Sequence, residues 1–246
     1  MIPHRLTLHF AALCLVLFSI TNSSAQKQKT PPGGRLAVVV DERLAAVRIT
    51  PELTGKLVRR LSRGRLVAIR QTRIGRDGIV FYFVNRSSRT HGWIQREAVV
   101  SPSIVGDDRR LLALIREATD FNRIVRARIF LEHFHRSPLQ AEVLLLLGEA
   151  AEQSSNKLTQ EAIKRISSNH EAPDVSYVLN YSGLDRYNRL GVLFVFDAKS
   201  GRLHYNGAAW REILRRFPRS PQANEAKRRL EELTLALSVA PQRSAH

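Results

Sequence analysis

The chain has 246 residues, with 39 Lys or Arg against 22 Asp or Glu and a formal charge of +17. Its 43% apolar content is that of a folded protein rather than a charged disordered tail, and its length allows one or two cores. The charge is carried by 32 Arg and only 7 Lys. Such an excess fits nucleic acid, anionic lipid or an acidic polymer as partner, and equally a genome that favours Arg codons. Residues 35–101 hold 14 basic and 5 acidic side chains and residues 102–246 hold 22 and 17, so over half of the excess lies in the first portion.

Residues 1–25 read as a secretory signal. His4 and Arg5 precede the apolar run from Phe10 to Ile20, and Ser23-Ser24-Ala25 places small residues at the cleavage site. A run of eleven residues is too short to span a bilayer, which takes about 20. Cys14 has Leu13 before it and Leu15-Val16-Leu17 after it, which is not the setting of a lipid-modified cysteine. Cleavage after Ala25 leaves 221 residues without cysteine, and so without disulfide, thiol nucleophile or thiolate ligand. The expected location is exported, periplasmic or extracellular. Residues 26–34, rich in Gln, Lys, Pro and Gly, form a short flexible linker.

From residue 35 the pattern alternates with period two and is punctuated by glycine, which predicts short antiparallel strands closing into a small barrel over 35–101. Leu44-Ala-Ala-Val-Arg-Ile-Thr-Pro51 is followed by Leu61-Ser-Arg-Gly64, Phe81-Tyr-Phe-Val84, Gly92-Trp93-Ile94 and Ala98-Val99. This order of motifs resembles the bacterial SH3 (SH3b, or SH3 type 3) family over about a quarter of the chain, with Ala46 where that family usually has Asn. The resemblance implies binding rather than catalysis, with peptidoglycan or a wall peptide as ligand. Tyr82 and Trp93 are the expected aromatic groove, and Arg70, Arg73, Arg86 and Arg89 the partners for carboxylates. Trp93 reads more readily as a core residue than as a ligand platform, and the arginines more readily as a solvated face than as a site.

Residues 107–237 carry helical periodicity. Phe134-His-Arg-Ser-Pro-Leu-Gln-Ala-Glu142 matches Phe217-Pro-Arg-Ser-Pro-Gln-Ala-Asn-Glu225 at an offset of 83. Each copy predicts a helix ending at Phe, a tight turn, and a new helix opened by Ser as N-cap and Pro at the first position. Ser137 and Gln140 have the spacing of a capping box. The unit resembles the tetratricopeptide (TPR) family, which implies a helical array that holds a protein partner. Two alternating runs around Asp197-Ala-Lys-Ser-Gly201 predict an inserted β-hairpin over 192–206. Its aromatics either weld it to the helices or, with Tyr187, Asn188 and Tyr205, form a recognition pocket. Residues 238–246 read as a disordered tail.

No metalloprotease, P-loop or serine-hydrolase motif occurs, and His133 and His135, two apart on a helix, point to different faces. The expectation is a multidomain protein, a small all-β SH3-like barrel followed by an α-helical TPR-like domain with a hairpin insertion. It is expected to use no cofactor, metal or catalytic residue. It would act as a cell-envelope adaptor with wall material and an envelope protein as partners, without nucleic acid and without a membrane span after cleavage. The alternative is a cell-wall hydrolase or its accessory that lacks a recognisable motif.

Overall fold

The computed structural model describes residues 33–87, 90–169, 183–197 and 200–238, the side chains of 165–169 excepted. The expected signal segment, nearly all of the linker after it, Arg89, and the tail from residue 239 lie outside the described residues.

Seven strands form one antiparallel sheet: β1 (Arg35–Val39), β2 (Ala46–Arg48), β3 (Leu57–Arg60), β4 (Leu66–Ile74), β5 (Val80–Ser87), β6 (Thr90–Gln95) and β7 (Val99–Val100). Their spatial order is β3-β2-β6-β5-β4-β1-β7. The inner face is a core of Ala37, Val39, Val47, Leu61, Val67, Ile69, Tyr82, Val84 and Ile94. The expected barrel is not closed, because no described strand pair joins β3 to β7. The reason lies at β7, whose Val99 carbonyl accepts from the Arg110 guanidinium. Arg110 also donates to Arg96 O and Glu97 O, both at 3.4 Å. A side chain thus takes the place of a closing strand.

The helical part comprises α1 (Asp107–Glu117), α2 (Asp120–His133), α3 (Gln140–Asn169), a single turn α4 (Asp185–Asn188), the hairpin β8 (Phe194–Asp197) and β9 (Arg202–Tyr205), then α5 (Ala208–Arg216) and α6 (Gln222–Ser238). The hairpin pairs Phe194 with Tyr205 and Asp197 with Arg202. A two-stranded ribbon is marginal in water, and this one is held on α3, where Leu203 N–H donates to Thr159 Oγ1 at 2.9 Å. Both atoms of that bond are buried.

The repeated turn has the same backbone bonds twice. Ser137 N–H donates to Phe134 O at 3.0 Å and Ser220 N–H to Phe217 O at 2.9 Å. The expected capping box does not form. Instead of accepting from Ser137 N–H, buried Gln140 turns its amide back to donate to Phe134 O at 3.1 Å, and to His135 O. Its Oε1 accepts from Arg216 Nη2 at 2.7 Å, which ties the end of α5 to the first turn. The competing partners win because carbonyls just past the end of α2 lie outside the helical ladder and take further donors, Phe134 O accepting from both Ser137 N–H and Gln140.

The two expected domains share a core. Alternate residues of β1 point to opposite faces, so Ala37 and Val39 enter the sheet core while Val38 and Val40 join Leu111, Ile115, Ile124 and Phe130 of the helices. Residues 102–106 between them are short and fastened. Ser101 Oγ donates to Leu36 O at 2.5 Å, and Ser101 N–H donates to buried Asp107 Oδ2 at 2.7 Å. Arg126 of α2 reaches back to Asp41 at 3.8 Å and to Val40 O at 3.5 Å.

Candidate functional site

The strongest candidate surface lies on the outer face of the sheet. Register on β5 and β6 sets Phe83 opposite Trp93 and Tyr82 opposite Ile94. Tyr82 is 5% exposed and belongs to the inner core, so the expected groove pairing Tyr82 with Trp93 is not formed. The two residues lie one step out of phase and project to opposite faces. On the outer face Phe83, half-buried, meets Trp93 edge-on, with ring centroids 5.3 Å apart at 73°. The Arg73 guanidinium stands 5.6 Å above the Trp93 ring, within cation–π range. Exposed His91 approaches Phe83 at 6.2 Å. Trp93 itself is 8% exposed, so the accessible aromatic surface belongs mainly to Phe83.

Local chemistry explains why Gly92 precedes Trp93. At φ 148° a Cβ on Gly92 would lie 2.5 Å from Arg48 O and 2.9 Å from Val47 Cγ1 of β2. Only glycine lets β6 approach β2 this closely. The turn after β2 then folds over the outer face, held by Arg48 Nη1 donating to Gly55 O at 2.8 Å. Of the other expected arginines, Arg70 is exposed with its guanidinium against Gly33, and Arg86 is half-buried at the end of β5. Of the three that are described, Arg73 alone stands on an aromatic ring. Sequence reasoning missed Phe83 and His91. The available signal was parity: once Trp93 is set opposite Phe83, it is the odd-numbered residues of Phe81–Val84 that share its face.

A second concavity, about 770 Å³, lies where the sheet passes into the helices. Its walls include Ile104, Val105, Arg109, His133, His135 and Arg136. Asp108 at its edge is engaged, accepting from Ser137 Oγ at 2.8 Å and from Arg109 N–H at 2.8 Å. Burial pushes the His133 pKa down, with nearby Glu132 opposing and His135 adding to the shift. Both histidines line this one groove because α2 ends at His133 and the chain turns before His135. Among the described residues no group of three or more His, Cys, Asp or Glu could hold a metal ion.

The expected helical-domain pocket is not assembled. Tyr187 is buried, its ring edge-on to Phe121 at 5.1 Å and to Phe194 at 5.2 Å. Tyr205 is also buried, edge-on to Trp210 at 5.3 Å, and its hydroxyl accepts from Ala209 N–H at 2.7 Å. Burial raises the Tyr205 pKa. Asn188 is exposed at the end of α4. The tyrosines weld the hairpin and α4 to the helices, since their flat rings fill the gap and leave no face for a ligand.

Comparison of the chain with family models, curated proteins and solved structures finds no match in any of the three. Among the described residues no helix is long and apolar enough to cross a membrane.

Proposed function

We propose that the chain is an exported, non-catalytic binding protein of the cell envelope, an adaptor whose sheet contacts peptidoglycan or a wall peptide while its helical repeats hold a protein partner. The observation that carries this reading is the Phe83–Trp93 pair on the outer sheet face with Arg73 above it. A flat aromatic surface suits sugar rings and peptide backbone, and a guanidinium beside it suits the carboxylates of a stem peptide. The resemblance to bacterial SH3 domains in motif order supports the same assignment. The junction groove, with exposed Val105 and basic Arg109 and Arg136, is the surface assigned to the protein partner.

The test is co-sedimentation of the chain with purified peptidoglycan sacculi across a salt series. Retention is expected to survive salt and to fall with Phe83→Ala and Arg73→Ala, both chosen at positions outside the inner core. Retention that washes off completely with salt would reduce it to nonspecific charge. Release of soluble wall fragments would instead establish a hydrolase.

A further inference from the structure

Two turns wall the junction groove. On one side Ile104 N–H donates to Ser101 O at 3.1 Å and Asp107 N–H to Ile104 O at 3.2 Å, and Gly106 at φ 85° carries the chain into α1. On the other side the Phe134–Ser137 turn carries the chain from α2 towards α3. Ser137 Oγ donates to Asp108 Oδ2 at 2.8 Å and joins the two walls. The groove is thus held in shape by its own hydrogen bonds. Its volume of about 770 Å³ falls within the range of about 300–1,000 Å³ usual for ligand sites.

The charges around that bond are uneven. Among the described lining residues Asp108 is the only carboxylate, and both of its oxygens are taken, Oδ2 by Ser137 and Oδ1 by Arg109 N–H. Its place in the first turn of α1 also sets its charge against the positive end of the helix dipole. Glu132 acts on His133 from outside the lining. Arg109 and Arg136, one from each wall, are exposed. Neither guanidinium meets a carboxylate among the described residues. Beside these cations Val105 stands fully in solvent, the most exposed large apolar side chain among the described residues, while Ile104 packs against the sheet core. A bilayer is flat and meets a concave wall poorly, and a second copy of the chain would bring a charge of +17 of its own.

We propose that the junction groove takes an acidic segment of the partner protein that carries apolar side chains among its carboxylates. The carboxylates pair with Arg109 and Arg136, and the apolar side chains cover Val105 and Ile104. Complementary charge selects and seats the segment, and loss of water from the apolar surfaces holds it. This rests on the assignment of the groove to a protein partner and adds the chemistry of that partner.

The test is isothermal titration calorimetry of the full chain with an acetylated, amidated ten-residue peptide that carries Glu-Leu-Asp-Leu-Glu at its centre. Saturable binding of one peptide per chain is expected. The pair Arg109→Glu and Arg136→Glu is expected to weaken it at least tenfold, with circular dichroism unchanged. Arg59→Glu with Arg60→Glu, on β3 and outside the groove, changes the net charge by the same amount and should leave binding intact. Val105→Ser removes apolar surface without altering charge and is expected to weaken binding as well, a readout that stands even if the charge-reversed pair fails to fold. The proposal is overturned if both charge-reversed pairs weaken binding equally, which would reduce it to overall charge. It is also overturned if a peptide with Gln-Leu-Asn-Leu-Gln binds as tightly and remains sensitive to Val105→Ser; the groove would then still hold a protein, but not an acidic one. Binding of neither peptide would overturn the assignment of the groove to a protein partner along with the proposal.

Discussion

The indole of Trp210 lies directly against Gly148, so that a Cβ on residue 148 would collide with its Nε1, Cδ1 and Cε2 atoms. Trp210 is 1% exposed and anchors α5 to the N-terminal third of α3. Gly148 sits inside a long helix, where glycine is about 1 kcal/mol worse than alanine, so packing rather than helix propensity selects it. Gly148→Ala is therefore expected to destabilise the chain by about 1–3 kcal/mol through overpacking. Urea denaturation followed by circular dichroism measures it, and a gain in stability would contradict the contact.

Gln140 links two turns that are far apart in sequence. Its amide serves Phe134 O and its oxygen accepts from Arg216. Gln140→Ala removes a buried amide that bonds Phe134 O, His135 O and Arg216, and is expected to lose about 1–3 kcal/mol. In a double-mutant cycle with Arg216→Ala the two losses should not add, because both remove the same link. Additive losses would place the Arg216 side chain elsewhere in solution.

The shared core predicts one unfolding transition. Val38, Val40 and Val100 are at most 1% exposed and pack on the helices from the sheet's side. The two tryptophans report on the two parts separately, Trp93 on the sheet and Trp210 on the helices. Val38→Ala is expected to lower the midpoint seen by either fluorophore equally, by the equivalent of about 1–3 kcal/mol. Single-tryptophan variants that unfold at separated urea concentrations would show independent domains.

Burial lowers the pKa of His133 and of His204 below the ordinary 6.5. As pH falls below that value the unfolded chain takes up protons that the folded chain does not, so stability is full above pH 6.5 and declines towards the folded-state pKa. Stability measured at pH 5.5 is expected to be lower than at pH 7.5, and His133→Gln should remove part of the difference. Asp41 works in a lower window. The Arg43 guanidinium hydrogen-bonded to it holds its carboxyl below the usual carboxylate range, so its contribution is lost only as pH falls below about 4.

Tyr82 and Phe83 are neighbours with opposite roles. Tyr82→Ala empties the inner core and is expected to lose about 3–5 kcal/mol, whereas Phe83→Ala should leave the sheet folded and remove its outer aromatic surface. Thermal melting and sacculus binding on the same two proteins distinguish the roles. Equal melting losses for both would put Phe83 in the core as well.

The strands, the main helices, the hairpin and the duplicated Phe-x-Arg-Ser-Pro turn were legible in the residues, because each is encoded locally by period two, period 3.6 or turn chemistry. The face to which each strand residue points was not. A run such as Phe81-Tyr82-Phe83-Val84 is apolar at every position, so its own pattern does not distinguish inside from outside, and only pairing with Trp93 and Ile94 decides.

What the sequence determined by itself is therefore the inventory: a basic chain with an apolar run from Phe10 to Ile20, an antiparallel β segment, a helical segment with one internal repeat, and no cysteine after residue 14. Tertiary structure decided how these are joined. Val38 and Val40 look like any strand residues, yet they fasten sheet to helices because β1 is covered on both faces. Tyr187 and Tyr205 look available for a ligand, yet they are spent on the core because the hairpin has no other means of adhering to α3 and α5. Burial and pairing depend on contacts between residues 40 to 90 positions apart, which no local periodicity encodes.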